Sequence, residues 1–535
     1  MIKVVRGTRD LLPPETALWN FVESVVRDVF RAYNFQEIRT PIFESTELFA
    51  RGVGEETDIV SKEMYTWEDG ERFEKSLLIS KWYLVNRDRF GLVEEYHSGE
   101  ELSDMECEDH DGNVEMVSFG SRPTPDALKK LSSAVSERRS LLAQMHPRKQ
   151  VVGRFVFSSP VPAESEESTP DGLLLEPFHG NFHRSSQSLT LRPENTAGVV
   201  RAYIQHDLQK NGLNKLYYIG PQFRRERPQK GRYRQFYQIG AEVIGPASAG
   251  SESAARDAEL LEMLATMLDR LGITNWNLEL NSVGTPADRV KFNEALRAAL
   301  DPVKEKMCAD CQRRAVTNPL RVFDCKVPED QPIIETLPRI SQFLGEDSRK
   351  HFDAVQQILK SVGVEFHIND RLVRGLDYYT RTAFEFTHGA LGAQNAILGG
   401  GRYDGLSEAL GGPPAPGIGF AIGEDRLVMS LQEKFTAESV LRKPDVYIAP
   451  LGTGMNAEAA RLARELRRHE LVVELGDETF RLKKSFEAAT KAGAKYILIV
   501  GENEVKADAF ALKNLATGEQ VSVARGELAR KIQEK

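Results

Sequence analysis

A dense group of basic residues between two apolar segments is the part of this sequence best suited to bind an anion. It lies within residues 216–245, where an apolar strand leads into Gly220-Pro221 and a tight loop is bracketed by Pro228 and Gly231. The basic residues are Arg224, Arg225, Arg227, Lys230, Arg232 and Arg234, with Glu226 among them. Guanidinium groups bind phosphates and carboxylates in bidentate fashion. The alternative is the solvated outer face of an antiparallel hairpin.

The segment after this loop alternates with the period of a β-strand. One face carries Tyr233, Tyr237, Ile239, Ala241 and Val243, and the other carries Arg234, Gln238, Gly240 and Glu242. We expect the first face to pack on a core. The second then offers an arginine, an amide and a carboxylate in a row, with a glycine that lets a ligand approach.

A strand-to-helix junction in residues 188–204 supplies further polar groups. Glu194, Asn195 and Thr196 stand where the free N–H groups of a helix start favour anions. Taken alone, these residues are better explained by Thr196 as the helix N-cap and Glu194 as a first-turn charge.

Two glycine-containing regions further along could close a binding site. Arg374, Asp377, Tyr378 and Tyr379 surround Gly375. Residues 397–406 contain three consecutive glycines, and residues 416–427 alternate glycine with apolar residues before a helix that carries Arg426. Glycine lets backbone approach a ligand closely, although such strands are also common packing devices. Neither region has the spacing of a phosphate-binding P-loop.

The cysteines give a weaker indication of a metal. Cys308 and Cys311 have CxxC spacing and Cys325 follows, but the sequence shows no fourth ligand nearby. We therefore favour reduced, partly buried thiols over zinc and assign no metal ligands. Four cysteines in 535 residues suit a reducing compartment better than a disulfide scaffold.

Length and charge limit the remaining possibilities. A chain of 535 residues should form two to four domains, and a net charge of −9 means that any nucleic-acid contact must come from local basic patches. The first residues lack the apolar core of a signal peptide, and no apolar run is long enough for a membrane helix. We expect a cytoplasmic protein.

The elements that position these groups can be outlined in order. An amphipathic helix follows Pro13-Pro14, and a strand over 36–44 contains Pro41, which requires an edge or a bend. That edge could be a dimer surface or could be covered within one subunit. Residues 285–362 are mostly helical. From about residue 443, strands alternate with helices, which predicts a small α/β domain with a mainly parallel sheet.

Together these segments resemble the class II aminoacyl-tRNA synthetases. The hairpin with Phe223-Arg224-Arg225-Glu226 is similar to their motif 2, residues 416–426 to motif 3, and residues 36–44 with Pro41 to motif 1. The segments LRPENT, RGLDYYT and GGGRYDGL point to the histidyl-tRNA synthetase family. The resemblance covers residues 1–69 and 187–535.

The resemblance implies an α+β fold with an antiparallel catalytic sheet. Residues 1–69 and 187–440 would form the catalytic domain, with a helical sub-domain at about 285–362, and residues 443–535 an α/β anticodon-binding domain. It also implies a homodimer that uses ATP, with accompanying Mg²⁺, to join L-histidine to tRNA(His) through a histidyl-adenylate. The rival within this fold is a non-catalytic, histidine-sensing regulatory paralogue.

The resemblance also implies roles for particular residues. Arg224 and Arg374 would be catalytic, and ATP would be bound by Arg224, Arg232 and Arg426. Histidine would be bound by Glu194, Asn195, Thr196, Arg224, Gln238, Glu242, Arg374, Tyr378 and Tyr379. The loop residues Arg227, Gln229 and Lys230 would meet the tRNA.

The sequence departs from the family pattern in three places. Asn195 stands where glycine is usual, and we expect its side chain to point away from the site. Asp425 replaces the glutamate before the motif 3 arginine, which keeps the charge and shortens its reach. Residues 70–186 replace a short hairpin connection. This insertion is either a tolerated surface excursion or an additional tRNA-contacting or regulatory module.

Overall fold

The computed structural model describes residues 2–54, 57, 59–69, 187–229, 231–373, 378–389, 396–432 and 435–534, together with strand pairs at 83–84, 107–108, 114–115 and 172–173. Our predictions for the rest of 70–186 lie outside these residues. The described part is α+β, with separate sheets in its central and C-terminal parts. None of its helices combines the length and apolar character required to span a membrane.

An eight-stranded sheet forms the centre of the molecule. In spatial order its strands are Gln36–Glu37, Asn214–Phe223, Gln235–Ile244, Gly417–Gly423, Ala396–Arg402, Thr380–His388, Trp276–Ser282 and His367–Ile368. The inner pairings are antiparallel, and the two-residue strands at both edges pair in parallel. The basic hairpin is the second and third strand of this sheet, and both glycine-rich segments are strands beside it.

Helices cover the apolar face of this sheet. They are Glu15–Ala32, Ala254–Arg270, Glu346–Ser361 and Glu424–Leu431. The helix predicted after Pro13-Pro14 is confirmed, and it buries Leu18, Val22 and Val26. Ile239 packs into the same core from the sheet. Burying such side chains contributes roughly 1.5–3 kcal/mol each, so the helices fix the sheet and leave its other face open for polar groups.

The predicted continuous strand over 36–44 is wrong, because it is divided at Pro41. Gln36–Glu37 joins the edge of the large sheet, whereas Phe43–Ser45 pairs with Gln187–Leu191 in a separate sheet whose third strand is Tyr65–Asp69. Proline has no N–H for a ladder. The bend that we expected at this residue is therefore present.

The remaining helices of residues 2–432 are short. They include the helices Thr46–Val53, Thr196–Gln205 and Leu406–Ala409. The predicted helical region contains Pro286–Leu300, Ala309–Thr317 and Gln331–Glu335, with 3₁₀ turns at Lys304–Lys306, Pro319–Asp324, Pro328–Asp330 and Ile340–Gln342. These helices share a small apolar core of their own.

The C-terminal part is the predicted α/β unit. Its strands, in spatial order, are Val473–Leu475, Val446–Leu451, Tyr496–Gly501, Ala509–Asn514 and Gln520–Ala524. Its helices are Met455–Arg468, Leu482–Ala492, Glu502–Ala507 and Leu528–Gln533. Two strand pairings are parallel and two are antiparallel, so the prediction of a mainly parallel sheet is wrong. The connections after Tyr496–Gly501 are too short for a parallel crossover.

A fully buried ion pair ties the glycine-rich strand to the covering helices. Arg402 and Asp257 are both 0% exposed, and the Arg402 Nε donates to Asp257 Oδ1 at 2.8 Å. Thr382 and His351 also contact the Asp257 carboxylate, at 2.6 and 2.8 Å. The arginine reaches Asp404 on its other side. A buried charge of this kind requires such partners.

We predict that Arg402→Met destabilises the part of the protein that contains the eight-stranded sheet by about 3–5 kcal/mol, because it leaves the Asp257 charge buried without its cation. The free energy of unfolding in urea measures this loss. Arg51→Ala removes an ion pair to Glu47 whose side chains are 59% and 62% exposed, and it should cost at most about 1 kcal/mol. Similar losses in the two variants would contradict the role of the buried pair.

Candidate functional site

A cavity of about 320 Å³ opens on the uncovered face of the eight-stranded sheet. Its walls come from the basic hairpin, the two glycine-rich strands and the start of the helix Thr196–Gln205. Nine residues selected from the sequence line it: Glu194, Thr196, Arg224, Arg232, Gln238, Glu242, Tyr378, Tyr379 and Arg426. Segments far apart in the chain therefore meet at one site.

Two glycines make room for the polar side chains in the sheet. Glu242 lies directly opposite Gly419 across the strand pair, and a Cβ at residue 419 would stand 1.7 Å from Glu242 Oε2. A Cβ at Gly240 would stand 2.3 Å from the ring of Tyr218. Any larger residue at either position would displace a side chain of the cavity wall. Both positions therefore require glycine, because a side chain there would collide with Glu242 or Tyr218.

Glu242 is a buried carboxyl group in the cavity wall. We call the part of the cavity lined by Glu242, Tyr218 and Tyr403 the closed end, because these side chains are buried. Its side chain is 0% exposed, and Thr196 Oγ1 donates to Oε1 at 2.8 Å. Burial raises the pKa of Glu242 to about 8, and the hydrogen bond from Thr196 opposes this rise. Oε2 has no donor in hydrogen-bond geometry among the described residues, although the neighbouring Tyr403 hydroxyl also opposes the rise in the pKa of Glu242. A ligand N–H that reached Oε2 would satisfy it.

Glu194 takes the role of a helix cap. Its carboxylate accepts hydrogen bonds from the backbone N–H groups of Thr196 and Ala197, at 2.7 and 3.0 Å. Our alternative with Thr196 as N-cap is wrong, because Asn195 occupies that position and its side chain makes no capping bond. Burial raises the pKa of Glu194, and the two backbone donors oppose the rise. Glu194 still lines the cavity beside Thr196.

Four tyrosines surround this end of the cavity. Tyr378 stacks at a tilt against Tyr379, with ring centroids 4.7 Å apart, and meets the edge of Tyr403 at 6.0 Å. Tyr218 completes the group and is 3% exposed. Burial raises the pKa of Tyr218, Tyr378 and Tyr403, so their phenols remain O–H donors. Our sequence analysis missed Tyr218 and Tyr403, although Tyr218 lies directly opposite Gly240 in the strand register.

Arg224 lies between this end and the basic end. Its Nε donates to the carbonyl oxygen of Pro193 at 2.9 Å, and its guanidinium lies 5.3 Å from the ring centroid of Phe236. Its charge also acts on the Glu194 carboxyl group. These contacts hold the guanidinium from two chain segments, residues 193–194 and the strand that contains Phe236.

Two further arginines form the basic end. Arg232 donates to Glu226 Oε2 at 3.1 Å, and Arg426 donates to the carbonyl oxygen of Ala396 at 2.9 Å. Burial lowers the pKa of Arg426, and the like charge of Arg232 lowers it further. A polyanionic ligand would relieve the repulsion between these cations.

The N-terminal segment supports this wall and accounts for one error. Arg9 donates to Asp425 Oδ1 at 2.8 Å and lies 4.8 Å from the ring centroid of Tyr233. Tyr233 lines the cavity, whereas the guanidinium of Arg234 donates to the carbonyl oxygen of Arg6. The faces predicted for Tyr233 and Arg234 are therefore reversed. The strand begins only at Gln235, so its alternation does not extend to these residues.

Some predicted site residues lie elsewhere. The Asn195 side chain does not line the cavity, because its Oδ1 accepts a hydrogen bond from Thr40 at 2.6 Å. It points away, as we expected for this departure, and the structure does not support it as a side-chain ligand. Arg227 and Gln229 are exposed in the loop outside the cavity. Arg374 and Lys230 lie outside the described residues.

The cavity thus combines two kinds of chemistry. Arg232 and Arg426 can bind a multiply charged anion at one end. Glu242 and the tyrosines can bind a small ligand that has both donors and acceptors at the other. Arg224 stands where the two ligands would meet, and its fixed charge could stabilise charge that develops there.

Comparisons with known proteins agree with this geometry. The family model described as Histidyl-tRNA synthetase matches residues 181–427, and the one described as Anticodon binding domain matches residues 445–535. The first match contains the cavity-lining segments. The second spans the C-terminal sheet.

Whole-chain relatives extend the similarity. A protein from Koribacter versatilis named histidine--tRNA ligase is 57% identical over 99% of this chain and 95% of its own length. One of the same name from Solibacter usitatus is 46% identical over 99% of both chains. The crystal structure of apo S. aureus histidyl-tRNA synthetase is 29% identical over 100% of both chains, with a TM-score of 0.66.

The buried carboxyl group predicts an unusual pH dependence of stability. Between about pH 4.5 and pH 8 the folded protein keeps a proton on Glu242 that the unfolded chain releases, so stability falls as the pH rises through this window. Glu242→Gln removes this penalty. We expect the difference in unfolding free energy between Glu242→Gln and wild type to increase in favour of the variant by roughly 2–4 kcal/mol from pH 5 to pH 8.

Urea unfolding at pH 5, 6.5 and 8 measures this difference. Glu47→Gln is the control, because that side chain is 62% exposed, and its unfolding free energy should stay within about 0.5 kcal/mol of wild type throughout. A difference between Glu242→Gln and wild type that does not widen with pH would show that Glu242 ionises without penalty in the folded protein.

Proposed function

The chain belongs to the histidyl-tRNA synthetase family, and we propose that the cavity described above is the site at which it activates histidine. The protein joins L-histidine to tRNA(His) with ATP, through a histidyl-adenylate, and releases AMP and pyrophosphate. One observation carries the assignment of the site: a single cavity connects a basic end to a closed end with a buried carboxyl group, and Arg224 stands between them.

We assign the closed end to the histidine side chain. Glu242 Oε2, which has no donor in hydrogen-bond geometry among the described residues, would accept a hydrogen bond from an N–H group of the imidazole ring. Tyrosine hydroxyls would serve the other nitrogen. A site with partners for both ring nitrogens rejects amino acids of similar shape, because these would leave the buried groups unpaired. Glu194, Thr196 and Gln238 lie along the wall that would hold the amino group.

The basic end would bind the triphosphate. Arg426 and Arg232 would contact the outer phosphates, because each lines the cavity and the two cations are close enough to repel. Magnesium would arrive with ATP as part of the substrate. Carboxylates suit that ion, and Glu385 and Glu226 place two of them on the cavity wall.

Arg224 would act where the two substrates react. An oxygen of the histidine carboxylate attacks the α-phosphorus, the bond to the bridging oxygen breaks, and pyrophosphate leaves with the electron pair. Negative charge grows on the α-phosphoryl oxygens during this step. A guanidinium already fixed by Pro193 and Phe236 stabilises that charge without reorganising. Arg374 is proposed for the same step from the resemblance alone.

The remaining assignments concern the tRNA and the cell. Residues 1–69 and 187–440 would form the catalytic domain, and residues 443–535 would bind the anticodon. The exposed loop residues Arg227 and Gln229, with Lys230 directly after them in sequence, would meet the acceptor end. A cytoplasmic location would supply ATP and tRNA. A non-catalytic regulatory paralogue is not favoured, because the 57%-identical relative named as a ligase spans 99% of the chain.

Histidine-dependent ATP–pyrophosphate exchange tests the proposal. We predict that Arg224→Ala reduces this exchange about 10²–10³-fold, the loss expected for a preorganised charge contact. Arg225→Ala is the matched control, because that neighbouring side chain is exposed over Tyr65 and does not line the cavity. Its exchange rate should remain within a few-fold of wild type. If the two variants reduced exchange equally, the proposed role of Arg224 at the reacting centre would be wrong.

We also propose that the protein is a homodimer through the segment around Pro41. Ile42, Phe43 and Trp67 are 45%, 54% and 40% exposed, and the rings of Phe43 and Trp67 meet at 6.0 Å. Large apolar side chains grouped on a surface mark an interaction site. An identical surface on a second copy would cover them.

We predict that the double variant Phe43→Glu with Trp67→Glu is a monomer of 60.0 kDa, whereas wild type has twice that mass in light scattering. Val290→Glu provides the control, because Val290 is 59% exposed on a helix far along the chain from this patch and its change should leave the dimer intact. An active wild-type monomer would contradict the proposal.

A further inference from the structure

Three thiols and a carboxylate converge in the helical region, away from the cavity. The ligand atoms of Cys308, Cys311, Cys325 and Asp330 all lie within 4.8 Å of one another. Our sequence analysis found no fourth ligand near the three cysteines, and the structure supplies one. Asp330 lies 19 residues beyond Cys311 in the chain, so no spacing motif revealed it.

Local structure aims these four side chains at one point. Cys308 is the N-cap of the helix Ala309–Thr317, and Cys311 follows one turn later on its buried side. Cys325 comes directly after the turn Pro319–Asp324. Asp330 ends the turn Pro328–Asp330, and Gln331 donates to the carbonyl oxygen of Cys325 at 3.0 Å, which holds the intervening loop in place.

The spacing of these atoms fits a tetrahedral ion. Zinc binds thiolate sulfur at about 2.3 Å and carboxylate oxygen at about 2.0 Å, so tetrahedral ligand atoms stand roughly 3.5–3.8 Å apart. The Sγ atoms of Cys308 and Cys325 are 3.9 Å apart, and Cys325 Sγ lies 3.2 Å from Asp330 Oδ2. A disulfide requires about 2.05 Å between sulfurs.

Burial makes a group of this kind costly without a cation. Cys311, Cys325 and Asp330 are 0%, 5% and 1% exposed. Among the described residues, no lysine or arginine forms an ion pair with Asp330, whose partners are the backbone N–H of Cys308 and the thiols of the three cysteines. A buried carboxylate is normally paired with a charge or bound to a metal. The N–H of Val327, 3.4 Å from Cys325 Sγ, suits a metal-bound thiolate.

We propose that Cys308, Cys311, Cys325 and Asp330 bind one structural zinc ion. All four positions around the metal would be filled by protein ligands, as in a site without catalytic water. The ion would join the start of the helix Ala309–Thr317 to the ends of the turns Pro319–Asp324 and Pro328–Asp330, whose shared core is small. Zinc suits three soft thiolates better than magnesium or calcium does.

The ion would also stabilise a wall of the catalytic cavity indirectly. Phe292 on the helix Pro286–Leu300 belongs to the same apolar core as Cys311. From that helix, Arg289 Nη2 donates to the carbonyl oxygen of Tyr379 at 2.9 Å. The metal would therefore support the catalytic cavity from a distance, through the helix Pro286–Leu300, and would take no part in the chemistry.

Metal analysis of the full-length protein tests the proposal. Protein purified with added zinc and then dialysed against a metal-free buffer should retain about one zinc per chain by mass spectrometry. Protein reconstituted with Co²⁺ should show the visible and charge-transfer absorption of a tetrahedral thiolate centre. Removing the ion with a chelator should lower the melting temperature, because metal binding stabilises the folded state.

Three variants make the test specific. Cys308→Ser should lower the zinc content to below about 0.2 per chain while the helix start survives, because serine is a favoured N-cap. Asp330→Asn should weaken zinc retention and shift the cobalt spectrum. Cys107→Ser, which changes the one cysteine outside the group, should keep wild-type zinc.

Several outcomes would overturn the proposal. Wild-type protein that retains no more zinc than Cys308→Ser would do so, as would iron found in place of zinc. A disulfide between Cys308 and Cys325 in protein prepared under reducing conditions would also refute it. These measurements do not depend on aminoacylation, so they remain informative whatever the activity assays show.

Discussion

Charged groups held out of water on one face of the eight-stranded sheet constrain the rest of this structure. Removing a carboxylate or guanidinium from water costs several kcal/mol unless partners surround it. Glu242 receives a hydrogen bond from Thr196, at a distant helix start. Arg224 receives a carbonyl oxygen from the residue before Glu194. Glu242 and Arg224 are thus each held by a segment distant in sequence, so the strands and the helix start must come together before this part of the site exists.

Space limits the sheet as strictly as charge does. The Glu242 side chain can lie against the neighbouring strand only because Gly419 has no Cβ, and Tyr218 crosses Gly240 for the same reason. Glycine in a strand interior ordinarily weakens the strand. Here the helices on the other face hold the sheet with a large apolar core, so the strands tolerate these glycines. The shape of the binding face therefore depends on Gly240 and Gly419, two residues that have no side chain.

The sequence predicted what depends on local periodicity or on a resemblance. Inside the strand Gln235–Ile244 alternation placed Gln238 and Glu242 correctly, and it failed at Tyr233 and Arg234, where the chain is still a loop. Helical spacing predicted the helix after Pro13-Pro14 and the helical region near 285–362, and alternating strand and helix patterns predicted the C-terminal α/β unit. What it missed came from pairings between distant segments: Arg9 with Asp425, Tyr218 opposite Gly240, and Asp330 beside three cysteines. No local pattern encodes which distant strand or turn will lie alongside.

The unpaired atom at Glu242 links stability to specificity. Among the described residues nothing donates to Oε2, and burial favours the neutral form of the group, so the free protein carries a cost that a donor ligand would remove. A ligand that binds only the folded state stabilises that state by mass action. A side chain of similar shape without a ring N–H would fill the space and leave the cost in place. We therefore propose that the buried carboxyl group that lowers the stability of the free protein at neutral pH would also give the site its discrimination, because only a ligand that donates a hydrogen bond would recover that free energy on binding.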